Sequence, residues 1–252
     1  MTWVDKRSTN MVYLQKRVQG SERMHKLLVF DLDGTLAGLG VGIKQENIQK
    51  LRLLESRGYR IAICSGKPTY YLCGMMRQVG LNAPILIGEN GATIVFGVDL
   101  PPKTHMVYPY SAKAKSQLQA LSQKLDAVLG ERVWYQPNEV GLTPFPPTDE
   151  YFDIIEGVLQ QSEIDALSVY RHCDSFDIVP SCISKANGLA FLAEHLGVCA
   201  KDFVAIGDGV NDLPMFGYAD CSIAIGKTVA HAATYAFDDV GDALDFVLQK
   251  QL

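Results

Sequence analysis

The run Lys26-Leu27-Leu28-Val29-Phe30 leads directly into Phe30-Asp31-Leu32-Asp33-Gly34-Thr35. Leu27–Leu32 is apolar on both faces, the pattern of a central strand in a parallel sheet covered on both sides. The same stretch sets two carboxylates, Asp31 and Asp33, and a glycine turn where that strand should end. Aspartates two apart at a buried strand end repel each other and lose hydration, which raises their pKa and costs stability. A hard cation such as Mg2+ relieves that cost and holds a phosphate against one carboxylate. A bare Asp-Gly dipeptide reads as a turn; the whole hexapeptide after an apolar strand points to chemistry.

Strand and helix patterns alternate from here. Ile43, Ile48, Leu51 and Leu54 share one side of a helix that ends at Gly58. Tyr59–Cys64 reads as the next strand, Ser65-Gly66-Lys67-Pro68 as its terminal loop, Thr69–Val79 as a helix stopped by Gly80, and Pro84–Ile87 as a third strand. The alternation resumes late, with a helix over Ser184–Leu196, strands at Phe203–Ile206 and Cys221–Ile225, and a closing helix over Asp242–Gln249. Such alternation predicts an α/β fold, a doubly wound parallel sheet with helices on both faces.

Between these halves the texture changes. Gly88-Glu89-Asn90-Gly91 breaks the pattern, and Ala92–Phe96 reads as a strand opening a different unit. Helices over Ser111–Leu129 and Tyr151–Leu159, strands at Arg132–Gln136, Leu167–Arg171 and Phe176–Val179, and a loop at Thr143–Pro147 suggest a small, mostly antiparallel sheet under two helices. The expected division is a core of residues 25–88 and 178–252, an inserted α+β cap of residues 89–177, and an N-terminal extension of residues 1–24. The extension lacks the apolar segment of a secretory signal, carries a possible short helix around Met11-Val12-Tyr13-Leu14, and reads as dispensable.

Composition narrows the functional classes. A chain of 252 residues with 48% hydrophobic content can bury a large core plus an insertion. A net charge of −5 argues against a phosphate-backbone partner, and no apolar stretch is long enough to span a bilayer. The six cysteines form no Cys-x-x-Cys pair, which fits free thiols in a reducing cytoplasm. The five histidines show no metal-ligand spacing.

In open α/β sheets the ligand crevice lies beyond the carboxyl ends of the strands. Asp31 and Asp33, Ser65 and Gly66, Lys185 at a helix start, and Gly207-Asp208-Gly209-Val210-Asn211-Asp212 all fall at such positions. Singly, Ser65-Gly66 reads as a turn, Lys185 as a solvated lysine, and Asp208 with Asp212 as a capped loop. Together and in this order they resemble the four motifs of the haloacid dehalogenase superfamily of aspartate-nucleophile phosphohydrolases. Glu89-Asn90-Gly91-Ala92 followed by a cap is similar to the Cof-type, C2-capped branch, near the sucrose-phosphate and archaeal phosphoglycolate phosphatases.

The resemblance implies a role for each residue. Asp31 is the expected nucleophile and Asp33 the general acid and base. Mg2+ is expected on the Asp31 carboxylate, the Asp33 backbone carbonyl and Asp208. Ser65, the Gly66 region and Lys185 hold phosphate oxygens or face the nucleophile. Asn211 is expected to position Lys185 or phosphate oxygens, and Asp212 to orient metal-bound water. Asp174 and Asp177 read as hinge or surface residues, and Lys67 is left without a role. Asn138, Glu139 and Thr143, in the loop from Gln136 to Asp149, either read substrate hydroxyls or merely close the loop.

The expected function is hydrolysis of a small phosphorylated metabolite, a sugar phosphate or a phosphoglycolate-like ester, in the cytoplasm, with neither nucleic acid nor membrane as partner. A sugar-phosphate mutase and a non-catalytic sensor on the same fold are the alternatives.

Overall fold

A computed structural model describes residues 26–252. The extension and the helix expected near Met11 lie outside the described residues.

Leu27–Phe30 forms strand β1, buried throughout. The chain continues through α1 (Gln45–Ser56), β2 (Arg60–Cys64), α2 (Thr69–Val79) and β3 (Ile85–Gly88). Gly80 closes α2 in the left-handed region at φ 71°, as its sequence position predicts. After a short turn, β4 (Thr93–Phe96) and β5 (His105–Val107) follow. An insertion comprises α3 (Ala112–Leu129), β6 (Trp134–Gln136), β7 (Thr143–Phe145), α4 (Asp149–Gln160), β8 (Leu167–Arg171) and β9 (Phe176–Pro180). The last third carries α5 (Lys185–Leu196), β10 (Phe203–Gly207), α6 (Leu213–Tyr218), β11 (Cys221–Ile225), β12 (Tyr235–Phe237) and α7 (Val240–Lys250).

The main sheet has eight strands in the order β12-β11-β10-β1-β2-β3-β4-β5. Its first six strands run parallel, and β4 and β5 complete it antiparallel to their neighbours. The strand β1 lies between β10 and β2, so its alternate residues enter two cores. Leu28 and Phe30 pack with Leu51, Leu72 and Leu244 from α1, α2 and α7. Leu27 and Val29 pack on the other face with Leu189, Leu192 and Phe216 from α5 and α6. This is the doubly wound arrangement the alternation predicts.

In the insertion, β6 pairs with β7 and β8 with β9, and a bridge between Leu142 and Ile178 joins the pairs. Leu118, Leu121 and Leu125 of α3 and Phe152 and Ile155 of α4 pack over Phe176 and Ile178. The α3 and α4 helices thus cover one face of a small antiparallel sheet.

Two expectations are corrected. Ala92–Phe96 does not open a separate unit: β4 pairs with β3 along its length and extends the main sheet. Thr143–Phe145, expected as loop, is a strand, hidden because it spans three residues and Pro144 removes one ladder donor. In chain order residues 108–111 separate β5 of the main sheet from α3 of the insertion, and residues 181–184 separate β9, paired with β8, from α5.

One close approach fixes the two layers of the core. Gly91, at φ 107°, lies so near the start of α5 that a Cβ there would sit 2.4 Å from the Ser184 carbonyl oxygen. A Cβ on Gly188 would sit 2.6 Å from the Gly91 Cα. Replacing Gly91 by Ala forces α5 outward and imposes a backbone conformation unfavourable to any side chain. The Gly91→Ala protein is expected to lose about 1–3 kcal/mol of stability, read as a lower urea midpoint with an unchanged slope.

Candidate active site

The carboxyl end of β1 lies in the middle of the sheet, between two parallel neighbours, where side chains meet the crevice. The Asp31 amide donates to the Ile206 carbonyl at 2.8 Å, which holds Asp31 beside the end of β10. The turn that follows needs Gly34 at φ 90°, and a Cβ there would fall 2.3 Å from an Asp208 carboxylate oxygen. Thr35 completes the turn by donating its hydroxyl to Asp208 Oδ1 at 2.8 Å. The first and fourth sequence motifs are therefore in direct contact.

Lys185 is the first residue of α5, after Ser184 caps the helix by accepting from the Asn187 amide. Its side chain is 1% exposed and donates to Asp31 Oδ1 at 2.6 Å and Asp212 Oδ1 at 2.5 Å. The other Asp212 oxygen accepts from the amides of Asp208 and Gly209 at 2.9 and 3.0 Å. Asp212 thus has both oxygens committed, to the lysine and to the loop that carries Asp208. Asn211 lines the same cavity but makes no hydrogen bond to Lys185.

Burial works against every charge here. It is the main cause that pushes the Asp31 carboxyl up to about 7, with Lys185 pulling the other way. Burial also raises Asp208. Lys185 is disfavoured as a cation by burial, but the Asp31 and Asp212 carboxylates outweigh that and hold it charged, well above the ordinary lysine range. Cys64, buried behind them, is pushed up to about 12 by burial and stays a thiol.

Asp31, Asp208 and Asp212 each bring a carboxylate oxygen within 4.8 Å of the other two. With Asp33 they make four carboxylates against the two ammonium groups of Lys185 and Lys67, the latter 3.6 Å from Asp33. This excess of negative charge, built from hard oxygen donors, suits a divalent cation of the Mg2+ type. Because Asp212 is fully engaged, Asp31 and Asp208 are the carboxylates left to hold it. The Asp33 side chain stands outside this cluster and faces Lys67.

Ser65 follows β2 and is buried, its hydroxyl accepting from the Lys67 amide at 3.3 Å. Its carbonyl accepts from the Asn90 amide at 3.0 Å. Glu89 and Asn90 hold positive φ angles of 52° and 57°, uncommon for residues with side chains. The strain is offset by what they bind. The buried Glu89 carboxylate accepts from the consecutive amides of Glu139, Val140 and Gly141 at 2.7 to 3.0 Å. Gln136 donates to the Gly66 carbonyl at 3.0 Å, and Asn90 donates to Asp177 at 2.8 Å. The loop after β6 is therefore docked beside the Ser65-Gly66 turn.

The expected residues Asp31, Asp33, Ser65, Gly66, Lys185, Asp208, Asn211 and Asp212 converge at one end of the sheet. A cavity of about 520 Å³ between this end and the insertion includes Asn90, His172, Asp177, Lys185 and Asp208 in its walls. Asp177 corrects its expected place as a hinge or surface residue: it is buried and bonded to Asn90, Thr143 and His172. Its position in the alternating run Phe176-Asp177-Ile178 was the available signal, since Phe176 and Ile178 must face the helices. Glu89 and His172 carried no spacing signal, because their partners are distant in sequence.

The sequence matches the family described as haloacid dehalogenase-like hydrolases over residues 28–140 and 137–240. A Streptococcus pyogenes protein named as a bifunctional phosphatase/peptidyl-prolyl cis-trans isomerase is 29% identical, covering 89% of this chain and 51% of its own. The chain thus spans about half the length of that relative. A Methanopyrus kandleri phosphoglycolate phosphatase is 26% identical, with 80% of this chain and 84% of that protein covered. A solved haloacid dehalogenase-like hydrolase from Bacteroides thetaiotaomicron has a TM-score of 0.70 at 21% identity, covering 88% of this chain and 99% of that one. That last likeness is one of fold.

Glu89 generates a stability prediction. Replacing it by Ala strips three amides at residues 139–141 of their acceptor, and buried unpaired donors are costly. The Glu89→Ala protein is expected to lose about 2 kcal/mol or more and to exchange the amide hydrogens of residues 139–141 faster. Unchanged exchange there would show that the carboxylate does not hold the loop.

Proposed function

The chain belongs to the haloacid dehalogenase-like hydrolases, and on that footing we propose that it is a Mg2+-dependent phosphatase of a small phosphorylated metabolite, acting through an aspartyl-phosphate on Asp31. Sugar phosphates and phosphoglycolate-like esters are the substrate classes considered. The carrying observation is the buried Lys185 ammonium between Asp31 and Asp212, with Asp208 in the same carboxylate cluster.

Lys185 takes Asp31 Oδ1 and leaves Oδ2 as the nucleophile, fixing the direction of attack. Asp31 Oδ2 bonds to phosphorus as the bond from phosphorus to the leaving oxygen breaks. Asp33 gives its proton to that oxygen. In the second step Asp33 takes a proton from water, whose oxygen bonds to phosphorus and releases Asp31 and inorganic phosphate. The Lys67 ammonium lies 3.6 Å from the Asp33 carboxylate, on the side away from the Asp31 cluster. Ser65 and the start of α2 supply hydrogen-bond donors to the phosphate oxygens. Held by Asp31, Asp208 and the Asp33 carbonyl, Mg2+ would neutralise phosphate charge and stabilise the charge that builds up in the transition state.

The insertion acts in this reading as a cap. Small polar ligands reach the cavity between the layers, and folded proteins do not.

Two variants test the proposal. Asp31→Asn keeps the shape of the side chain and its acceptor for Lys185 but is a poor nucleophile. Phosphate release is expected to fall about a thousandfold or more with the circular dichroism spectrum unchanged, and near-normal turnover would remove Asp31 from this role. Asp208→Ala is expected to raise the Mg2+ concentration for half-maximal rate by about tenfold or more. An unchanged metal requirement would take Asp208 out of the metal site.

A further inference from the structure

The turn Ser65-Gly66-Lys67 presents consecutive backbone carbonyls, and each is held by a different donor. The Ser65 carbonyl accepts from the Asn90 amide and the Lys67 carbonyl from the Glu89 amide, both at 3.0 Å. The Gly66 carbonyl between them is served instead by a side chain of the insertion, Gln136 Nε2, at 3.0 Å. The same nitrogen donates to Asn138 Oδ1 at 2.7 Å, and Asn138 in turn donates to Thr143 at 2.8 Å. Both neighbours of this nitrogen are acceptors, which fixes the orientation of the buried carboxamide.

A trans peptide is planar, with its C=O and N–H pointing in opposite directions. The Gly66 carbonyl shares its peptide unit with the Lys67 amide. Holding that carbonyl toward the insertion turns the Lys67 amide away from it, and the amide donates to Ser65 Oγ at 3.3 Å. With its oxygen accepting there, the Ser65 hydroxyl keeps its own proton for another acceptor. Docking of the insertion does not depend on the Gln136 bond. Glu89 already accepts the amides of residues 139–141, and Asn90 donates to Asp177.

We propose that Gln136 is a positioning residue that acts through Ser65, by a relay from its Nε2 through the Gly66-Lys67 peptide and the Ser65 hydroxyl to a phosphate oxygen. The inference rests on the phosphatase reading and adds to it a side chain that works from behind the phosphate-binding turn. Each bond in such a chain polarises the next, so donation to the Gly66 carbonyl makes the Lys67 N–H, and then the Ser65 O–H, a stronger donor. The last of these meets an anion, where a hydrogen bond is strongest.

A double-mutant cycle in the full chain with Mg2+ tests the relay, read as kcat/KM for p-nitrophenyl phosphate and as the inhibition constant of inorganic phosphate. Gln136→Met keeps the length of the side chain and removes the donor. It is expected to lower kcat/KM and weaken phosphate inhibition by about tenfold. In a Ser65→Ala background the same substitution is expected to change either quantity by less than about twofold, because the relay has lost its end. Equal losses in both backgrounds mark a structural tether and overturn the inference, as does an unchanged kcat/KM in Gln136→Met. A measurement on the native protein stands beside the cycle and needs no variant to fold. Inorganic phosphate titrated into the Mg2+-loaded chain is expected to shift the Lys67 backbone amide and the Gln136 side-chain amide resonances together. A silent Gln136 overturns the inference. Each of these failures leaves the phosphatase reading standing, whereas no phosphate release from any ester by the native protein overturns both.

Discussion

A lysine ammonium sealed from water at the centre of the molecule sets the terms for everything around it. Lys185 is 1% exposed, and an unpaired charge there would cost several kcal/mol. Its two carboxylates come from different parts of the chain: Asp31 is 154 residues away and Asp212 is 27 away. The fold must therefore place the end of β1, the start of α5 and the loop after β10 within one hydrogen-bond length of a single nitrogen. Gly91 and Gly188 allow α5 to come that close. Asp212, by also accepting two amides of the Asp208 loop, passes the constraint on to Asp208, and Thr35 ties Asp208 back to β1.

The result is a closed ring of contacts around a site that still has more negative than positive charge. Such a ring is rigid in the sense that matters for chemistry, because each side chain is oriented by a second partner. Burial raises the Asp31 carboxyl within it, and the surplus of hard oxygen donors suits a divalent cation.

The insertion is attached by different physics. Its own core of α3, α4 and the small sheet is apolar, yet its links to the crevice are polar and specific: Glu89 to the 139–141 amides, Gln136 to Gly66, and Asn90 to Asp177. A small apolar cluster of Ala92, Val140, Val179 and Ile183 packs beside these bonds, and the positive-φ pair Glu89-Asn90 makes two of them.

The sequence by itself determined the doubly wound core and the motifs that meet at the end of its sheet, because those features are local. Apolar runs of four or five residues, helix stops such as Gly80 and Gly197, and the Asp-x-Asp-Gly turn act within a few positions of themselves. The strands β8 and β11 and the helix α2 fall where periodicity puts them. Only the tertiary structure decided that β4 and β5 belong to the main sheet, that Pro144 lies in a strand, and that Asp177 is buried. It alone brought Glu89 to the amides fifty residues later and His172 to the cavity wall. The physical reason is common to all of these: a short strand or a lone polar residue takes its place from partners far along the chain, and no local pattern records who those partners are.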